Sequence, residues 1–281
     1  MRISTAMTTV LLMALPAAAA DRSRVTAFEL LDDGSIVVPV TIGGTGPYRF
    51  VLDTGSSRTV MSTRLWKALR RPVIAKTLVL TPAGRDEAFV VRLDDLSVDG
   101  RPPVGVTAAV MPADRYAAGR QVDGLIGQDV LASAVYTIDY DRRSVVWHDA
   151  GDVVPGYRLP LSVCNNRLLV SLPQHDGDRE PLAFVPDTGS DGLVLFAHAQ
   201  RKVRSTHIDV GVLTGLTGSR LVNRVQLEDF VVGDTKLRNP LAVVIDHGAA
   251  PETMGDGLLP LHLFVRVTFN VAEKYLIIHA R

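Results

Sequence analysis

The chain has 281 residues, with 30 Lys+Arg balanced by 30 Asp+Glu, and is 47% hydrophobic and 21% charged. That length and composition exclude extended disorder and leave room for one large domain or two smaller ones with real cores. The zero charge balance, with no Lys/Arg-rich run, excludes an electrostatic footprint for nucleic acid; one cysteine and seven histidines without HxxxH or HxH spacing disfavour a metal enzyme and predict no cofactor.

Taken in chain order, residues 1–20 read as a signal peptide. Met1-Arg2 supplies a positive start, Ala6 to Leu15 is apolar, and Pro16-Ala17-Ala18-Ala19-Ala20 offers an Ala-x-Ala cleavage pattern before Asp21-Arg22. The apolar stretch falls short of the roughly twenty residues a membrane-spanning helix needs. The expectation is an exported protein, periplasmic or extracellular, with no membrane attachment after signal removal. A lone Cys164 is tolerable in an oxidising compartment if buried, which its strand-like surroundings predict.

The first half then reads as short strands rich in Val, Ile and aromatics: Ile36–Ile42, Tyr48–Leu52, Ala88–Leu93, Val104–Val110 and Ser144–Trp147. Gly43-Gly44-Thr45-Gly46-Pro47 and Asp99-Gly100 punctuate them. Because a strand follows the glycine cluster, it is a hairpin turn and not a phosphate loop, which would open a helix. Helical periodicity is confined to Thr63–Arg70, Phe196–Val203 and Pro112–Ala118, with Trp66 and Leu69 facing the core. Many short strands without alternating long helices predict an all-β architecture of closed or highly curved sheets.

The second half repeats the first. Phe50-Val51-Leu52-Asp53-Thr54-Gly55-Ser56 recurs 134 residues later as Phe184-Val185-Pro186-Asp187-Thr188-Gly189-Ser190. Val91 to Leu96, including Asp95, recurs as Val225 to Phe230, including Asp229. Asp123-Gly124-Leu125-Ile126-Gly127 recurs as Asp256-Gly257-Leu258-Leu259-Pro260, and Thr137-Ile138-Asp139 as Thr268-Phe269-Asn270. Four landmarks in one order at nearly constant offset are a duplication. Two lobes follow, 21–150 and 151–281, with a boundary near Asp149–Gly156.

A single Asp-Thr-Gly arises by chance in roughly one chain in twenty of this length. Two copies, each after a hydrophobic strand and each followed by Ser, are much rarer. The pattern, completed by a hydrophobic–hydrophobic–Gly segment about seventy residues on, resembles the pepsin/retropepsin superfamily of aspartic peptidases over nearly all of the mature chain. The resemblance implies a bilobal acid-protease fold with Asp53 and Asp187 as the catalytic pair. It implies that Thr54 and Thr188 hydrogen-bond across a pseudo-twofold axis to the opposite loop. Gly55 and Gly189 permit close backbone approach, and Ser56 and Ser190 donate to the outer carboxylate oxygens. Ile126-Gly127, with Leu259-Pro260 opposite, pass behind the catalytic loops. Hairpin tips at Pro82-Ala83-Gly84 and Thr217-Gly218 are expected as substrate-covering flaps; without a tyrosine on the first, they resemble the symmetric flaps of retropepsins. Asp123 and Asp256, preceding glycines, are expected turn formers.

Lobe two departs from the pattern at Pro186, at Asp191 and at Pro260, which stands where Gly127 has its counterpart. The leading expectation is a monomeric exported aspartic endopeptidase acting on peptides or unfolded proteins. The departures motivate an alternative, a catalytically silent peptide-binding protein of the cell envelope. A purely structural β-barrel is a weaker reading, since it gives no reason for two Asp-Thr-Gly loops. A serine nucleophile at Ser56 or Ser57 is disfavoured by the lack of a GxSxG elbow.

Overall fold

The computed structural model describes residues 24–112, 121–149, 151–174, 180–215, 217–228, 230–246 and 255–279. The stretch expected as a signal peptide, the helix expected after Pro112, Leu216 and Asp229 lie outside them.

Each half forms the same sheet. In the first lobe the strand order is Glu29–Leu30, Ile36–Ile42, Thr45–Leu52, Gly124–Ile126, Val60–Ser62, Val104–Met111, Gly84–Val98 and Val73–Thr81. A further pairing of Ile36–Ile42 with Gly84–Val98 curls this sheet back on itself. The second lobe repeats that order with Arg167–Leu172, Leu182–Asp187, Gly257–Pro260, Leu193–Phe196, Leu241–Ile245, Gly218–Leu227 and Ser205–Gly215. The architecture is therefore all-β and two-lobed. Ile36–Ile42 forms where expected because its Val/Ile run buries five of seven residues. Gly43 and Gly44, at φ of 59° and 70°, turn it tightly into Thr45–Leu52. Type I′ turns of this kind need positive φ at both central residues, which glycine adopts without strain.

The lobes share a floor. Val25–Ala27, Ser144–His148, Val135–Asp139, Arg266–Asn270, Tyr275–His279 and Arg158–Cys164 make an antiparallel stretch that continues into the second-lobe sheet. At its centre the duplicated strands pair with each other, Thr137 opposite Thr268. Their hydroxyls lie 2.7 Å apart, and Tyr136 stacks on Phe269 with ring centroids 4.9 Å apart. One hydrophobic core runs from Ile36 and Phe50 through Tyr136 and Phe269 to Phe184 and Val225.

Helices are short. Thr63–Leu69 is capped by Ser62, whose hydroxyl accepts from Leu65 N at 3.0 Å. Trp66 and Leu69 pack partly buried against the core. The expected Phe196–Val203 helix is a 3-10 helix over Ala197–Lys202. Cys164, expected to be buried, is only partly so, at the end of a strand whose Val163 is exposed.

The strands that carry the repeated aspartates are each flanked by a parallel partner: Phe50 opposite Gly124 and Phe184 opposite Gly257. A Cβ on Gly124 would collide with Val60 O and the Phe50 ring, and one on Gly257 with Val194 O and the Phe184 ring. Gly124→Ala and Gly257→Ala are each expected to destabilise by about 1–3 kcal/mol through overpacking. Gly192→Ala, where a Cβ meets nothing within 4 Å, is expected to leave the thermal unfolding midpoint in place. Equal midpoints for all three variants would contradict this packing.

Candidate active site

Strands Thr45–Leu52 and Leu182–Asp187 run to the middle of the molecule and deliver Asp53 and Asp187 to one place, 5% and 7% exposed. Asp53 N donates to Ile126 O at 2.9 Å, which ties the first loop to the strand beneath it. The threonines cross over. Thr54 Oγ1 donates to Pro186 O at 2.7 Å, and Thr188 Oγ1 donates to Leu52 O at 2.5 Å. Each hydroxyl also accepts from the other threonine's amide, Thr54 N to Thr188 Oγ1 at 3.0 Å and Thr188 N to Thr54 Oγ1 at 3.1 Å. Both threonines are fully buried, so every donor and acceptor in this clamp is matched away from water. Gly55 lets the loops close on each other: a Cβ there would collide with the Asp187 carboxylate.

The two carboxyls lie within hydrogen-bonding reach of each other. Asp187 is held well above the usual carboxylate range, first by burial and then by the neighbouring charge of Asp53; the Gly189 amide and the Arg167 guanidinium pull the other way. Backbone amides donate to both members of the pair. Gly55 N and Ser56 N both reach Asp53 Oδ1 at 3.0 Å, and Gly189 N reaches Asp187 Oδ1 at 2.7 Å. The expectation that Ser56 and Ser190 donate to the carboxylates is corrected here. Ser56 Oγ donates to Arg58 O at 2.8 Å and Ser190 Oγ to Gly192 O at 2.7 Å, each closing its own turn two residues on. A hydroxyl hydrogen committed to a nearby carbonyl is not available to the aspartate.

Behind the loops, Ile126 and Leu259 are fully buried and Gly127 and Pro260 follow them. Gly127 adopts negative φ, so glycine is required there for space: a Cβ would sit 2.5 Å from the Arg58 carbonyl carbon. Lobe two places Gly192 at the position of Arg58, in open surroundings, and Pro260 begins a 3-10 helix. Pro186 pairs with Leu259 and still offers its carbonyl to Thr54. Asp191 is exposed at the edge of the cleft. Asp123 and Asp256, expected as turn formers, are instead buried anchors. Asp123 accepts from Arg49 N at 2.9 Å and Arg64 at 2.5 Å; Asp256 accepts from Ala183 N at 2.8 Å and pairs with Lys202 at 3.0 Å and His198 at 3.3 Å.

A cleft of about 660 Å³ opens above the pair, lined by both Asp loops and by Thr77–Ala83 and Leu213–Gly215. The two hairpins meet over it. Thr81 and Thr217 hydroxyls lie 2.6 Å apart, and a Cβ on Gly215 would stand 3.1 Å from Ala83 Cβ. Pro82 and Ala83 line the cleft, whereas Gly84 and Gly218 close the turns, pairing with Thr81 and Gly215. Three contributors escape a motif search. Gln128 Nε2 donates to Thr54 O at 2.8 Å, a support whose second-lobe counterpart is Leu261. Asp129 accepts from Thr59 N and Thr59 Oγ1 at 2.9 and 2.8 Å, bracing the same loop. Arg167 lines the cleft beside Asp187. Gln128 and Asp129 directly follow the Ile-Gly landmark, which was the available signal for them.

The clamp has a measurable consequence. Thr54→Ala and Thr188→Ala each remove a buried donor and leave its partner carbonyl short, at a cost of about 1–3 kcal/mol. Thr→Ser at either position keeps the hydroxyl and should remain near wild type in denaturant unfolding. Because the two side chains share partners, the double alanine variant should cost less than the sum of the singles. Strict additivity would show that the two hydroxyls act independently.

Comparison with known proteins agrees with this geometry. A family model described as "Aspartyl protease" matches twice, over residues 38–130 and 174–262. None of the curated proteins matches the sequence. Among solved structures the chain is similar to the crystal structure of Basic 7S globulin from soybean, with 9% identity, 91% of this chain and 94% of that chain covered, and a TM-score of 0.50. At that identity the likeness speaks for the fold alone. The family model covers one Asp-Thr-Gly-Ser loop in each lobe, and on that match this chain belongs to the aspartyl protease family.

Proposed function

We propose that this protein is an exported, monomeric aspartic endopeptidase that hydrolyses peptide bonds in peptides or unfolded proteins, with Asp53 and Asp187 as the catalytic pair. The observation that carries the reading is the buried, cross-braced pair of carboxyls beneath a roofed cleft, with Asp187 held above the usual range. Two carboxyls this close cannot both ionise, so they share one proton. Asp53 accepts two backbone N–H bonds and Asp187 one, so the charge settles on Asp53 and the proton on Asp187. A water between them then loses a proton to Asp53 as its oxygen attacks the scissile carbonyl carbon. Asp187 donates its proton to the carbonyl oxygen as the double bond opens. The tetrahedral diol collapses to acid and amine as Asp53 gives its proton to the leaving nitrogen and a diol hydroxyl gives one to Asp187, which leaves the pair with one proton again.

Pro186, Asp191 and Pro260, which motivate a silent peptide-binding alternative, leave the threonine clamp and the amide donors of lobe two in place. This supports the catalytic reading. Export rests on the signal-like residues 1–20, and the monomer on both aspartates standing in one chain.

The decisive assay incubates the purified mature protein with denatured casein between pH 3 and 7, with and without pepstatin. Wild type is expected to cleave, and Asp53→Asn and Asp187→Asn each to lose about 10²–10⁴-fold. The double variant should be no worse, because the two groups act as a unit. Absence of cleavage at every pH would overturn the proposal. Asp187→Asn should also raise the thermal midpoint near neutral pH. A carboxyl whose native pKa lies above its unfolded value stabilises the fold below the unfolded pKa and loses that contribution as pH rises through the native one. The neutral amide escapes this loss, so its advantage should vanish in acid; a midpoint gain that persists in acid would point to another cause.

The redirected serines make a second, opposite expectation. Since neither hydroxyl bonds to its aspartate, Ser56→Ala and Ser190→Ala should leave the limbs of the pH–rate profile in place. A shift of the active range to higher pH in either variant would show that the hydroxyl turns to the carboxylate during catalysis.

A further inference from the structure

The duplication places an arginine in the second lobe where the first has a serine. Phe50 and Phe184 are counterparts and pair with Val38 and Val170, so Arg167 stands at the position of Ser35, and both line the cleft above the pair. Arg167 follows a two-residue turn at Asn165-Asn166, both at positive φ, and opens the strand Arg167–Leu172, so its Cα is fixed by regular pairing with Cys164. Its guanidinium crosses to the other lobe, where Nη2 lies 3.5 Å from Leu80 O, one residue before the first flap tip. It thus stands between the floor that carries the aspartates and the hairpin that roofs them, in the channel a peptide would occupy. Arg167 is partly buried, and its charge is felt by both Asp187 and Asp53. Ser35, at the equivalent place, is uncharged, and its amide donates to Asp33 Oδ1 at 3.0 Å.

We propose that Arg167 is a specificity-determining residue of this cleft: its guanidinium binds a carboxylate carried by the substrate peptide on one side of the scissile bond, and the uncharged Ser35 at the matching place leaves that preference one-sided, which sets the direction in which the peptide lies. This rests on the peptidase reading given above. A catalytic pair related by a twofold axis treats both directions of a chain alike, whereas a peptide is directional. A positive group on one side, with an uncharged serine at the matching place on the other, supplies the missing polarity. The guanidinium suits the role, since its planar fork of donors matches a carboxylate. A pair formed under closed flaps is also stronger than one at an open surface.

The test maps cleavage sites of a random peptide library by mass spectrometry near pH 6, above the ordinary glutamate range of about 4.3. The preferred peptide is then made with Glu, Gln or Lys at each flanking position, and with a C-terminal acid or amide. Wild type should favour Glu over Gln by about ten- to a hundredfold in kcat/KM, at positions on one side of the bond only. If instead the acid terminus outperforms the amide by that factor, the carboxylate is that of the chain end. The Glu/Gln ratio should fall close to one in Arg167→Gln, survive in part in Arg167→Lys, and give way to a preference for Lys in Arg167→Glu. The wild-type ratio stands even if a variant fails to fold. A library that is cleaved without any carboxylate preference, or a preference that Arg167→Gln leaves intact, overturns this inference while the peptidase reading stands. A library left uncleaved overturns both.

Discussion

Two carboxyl groups within hydrogen-bonding reach, nearly withdrawn from water, repel each other when ionised and are penalised by burial even singly. Everything around Asp53 and Asp187 works against their separation. The threonine clamp is built so that neither loop satisfies itself: Thr54 completes Pro186, Thr188 completes Leu52, and each amide finds the other loop's hydroxyl. If the loops parted, four buried hydrogen bonds would be lost together. The small volume of Gly55 then allows the close approach that the charges alone would resist.

That clamp needs a rigid base, and the shared sheet provides it. Duplicated strands pair at the pseudo-axis through Thr137 and Thr268, directly extending the symmetry of the loops into the floor. Buried Asp123 and Asp256 repeat the same scheme at the flanks: each takes a backbone amide from a strand and a cation from a short helix of its lobe. Rigidity is thus concentrated below the cleft. The roof, by contrast, closes through a hydroxyl pair and a glycine-to-alanine contact, weak interactions that a substrate can displace. The geometry suits a site that must open above while holding fixed below.

Fold and pair were legible in the sequence because they rest on repetition and period. Two hydrophobic strands ending in Asp-Thr-Gly-Ser, at one offset, leave little choice of architecture. The serine hydroxyls were misread because their direction depends on the local backbone, where carbonyls of Arg58 and Gly192 lie nearer than the carboxylates. Asp123 looked like a turn residue because its neighbour is glycine; its partner Arg64 lies 59 residues away and only the folded lobe joins them. Gln128 and Arg167 carry no motif. The offset of 134 does not reach Arg167, because the hairpin before Leu182 is two residues longer than its first-lobe counterpart and the strand register matches Arg167 with Ser35.

Fusion of the two halves into one chain has a consequence for how such a site can change. In an assembly of two identical subunits, every substitution appears on both sides of the axis, and a charge introduced on one wall is introduced on the other. Here each lobe varies alone. Gln128 corresponds to Leu261, Gly127 to Pro260 and Ser35 to Arg167, while the aspartates, the threonines and the glycines beside them remain matched. The buried pair and its clamp keep their mirror image, and the walls are released from it.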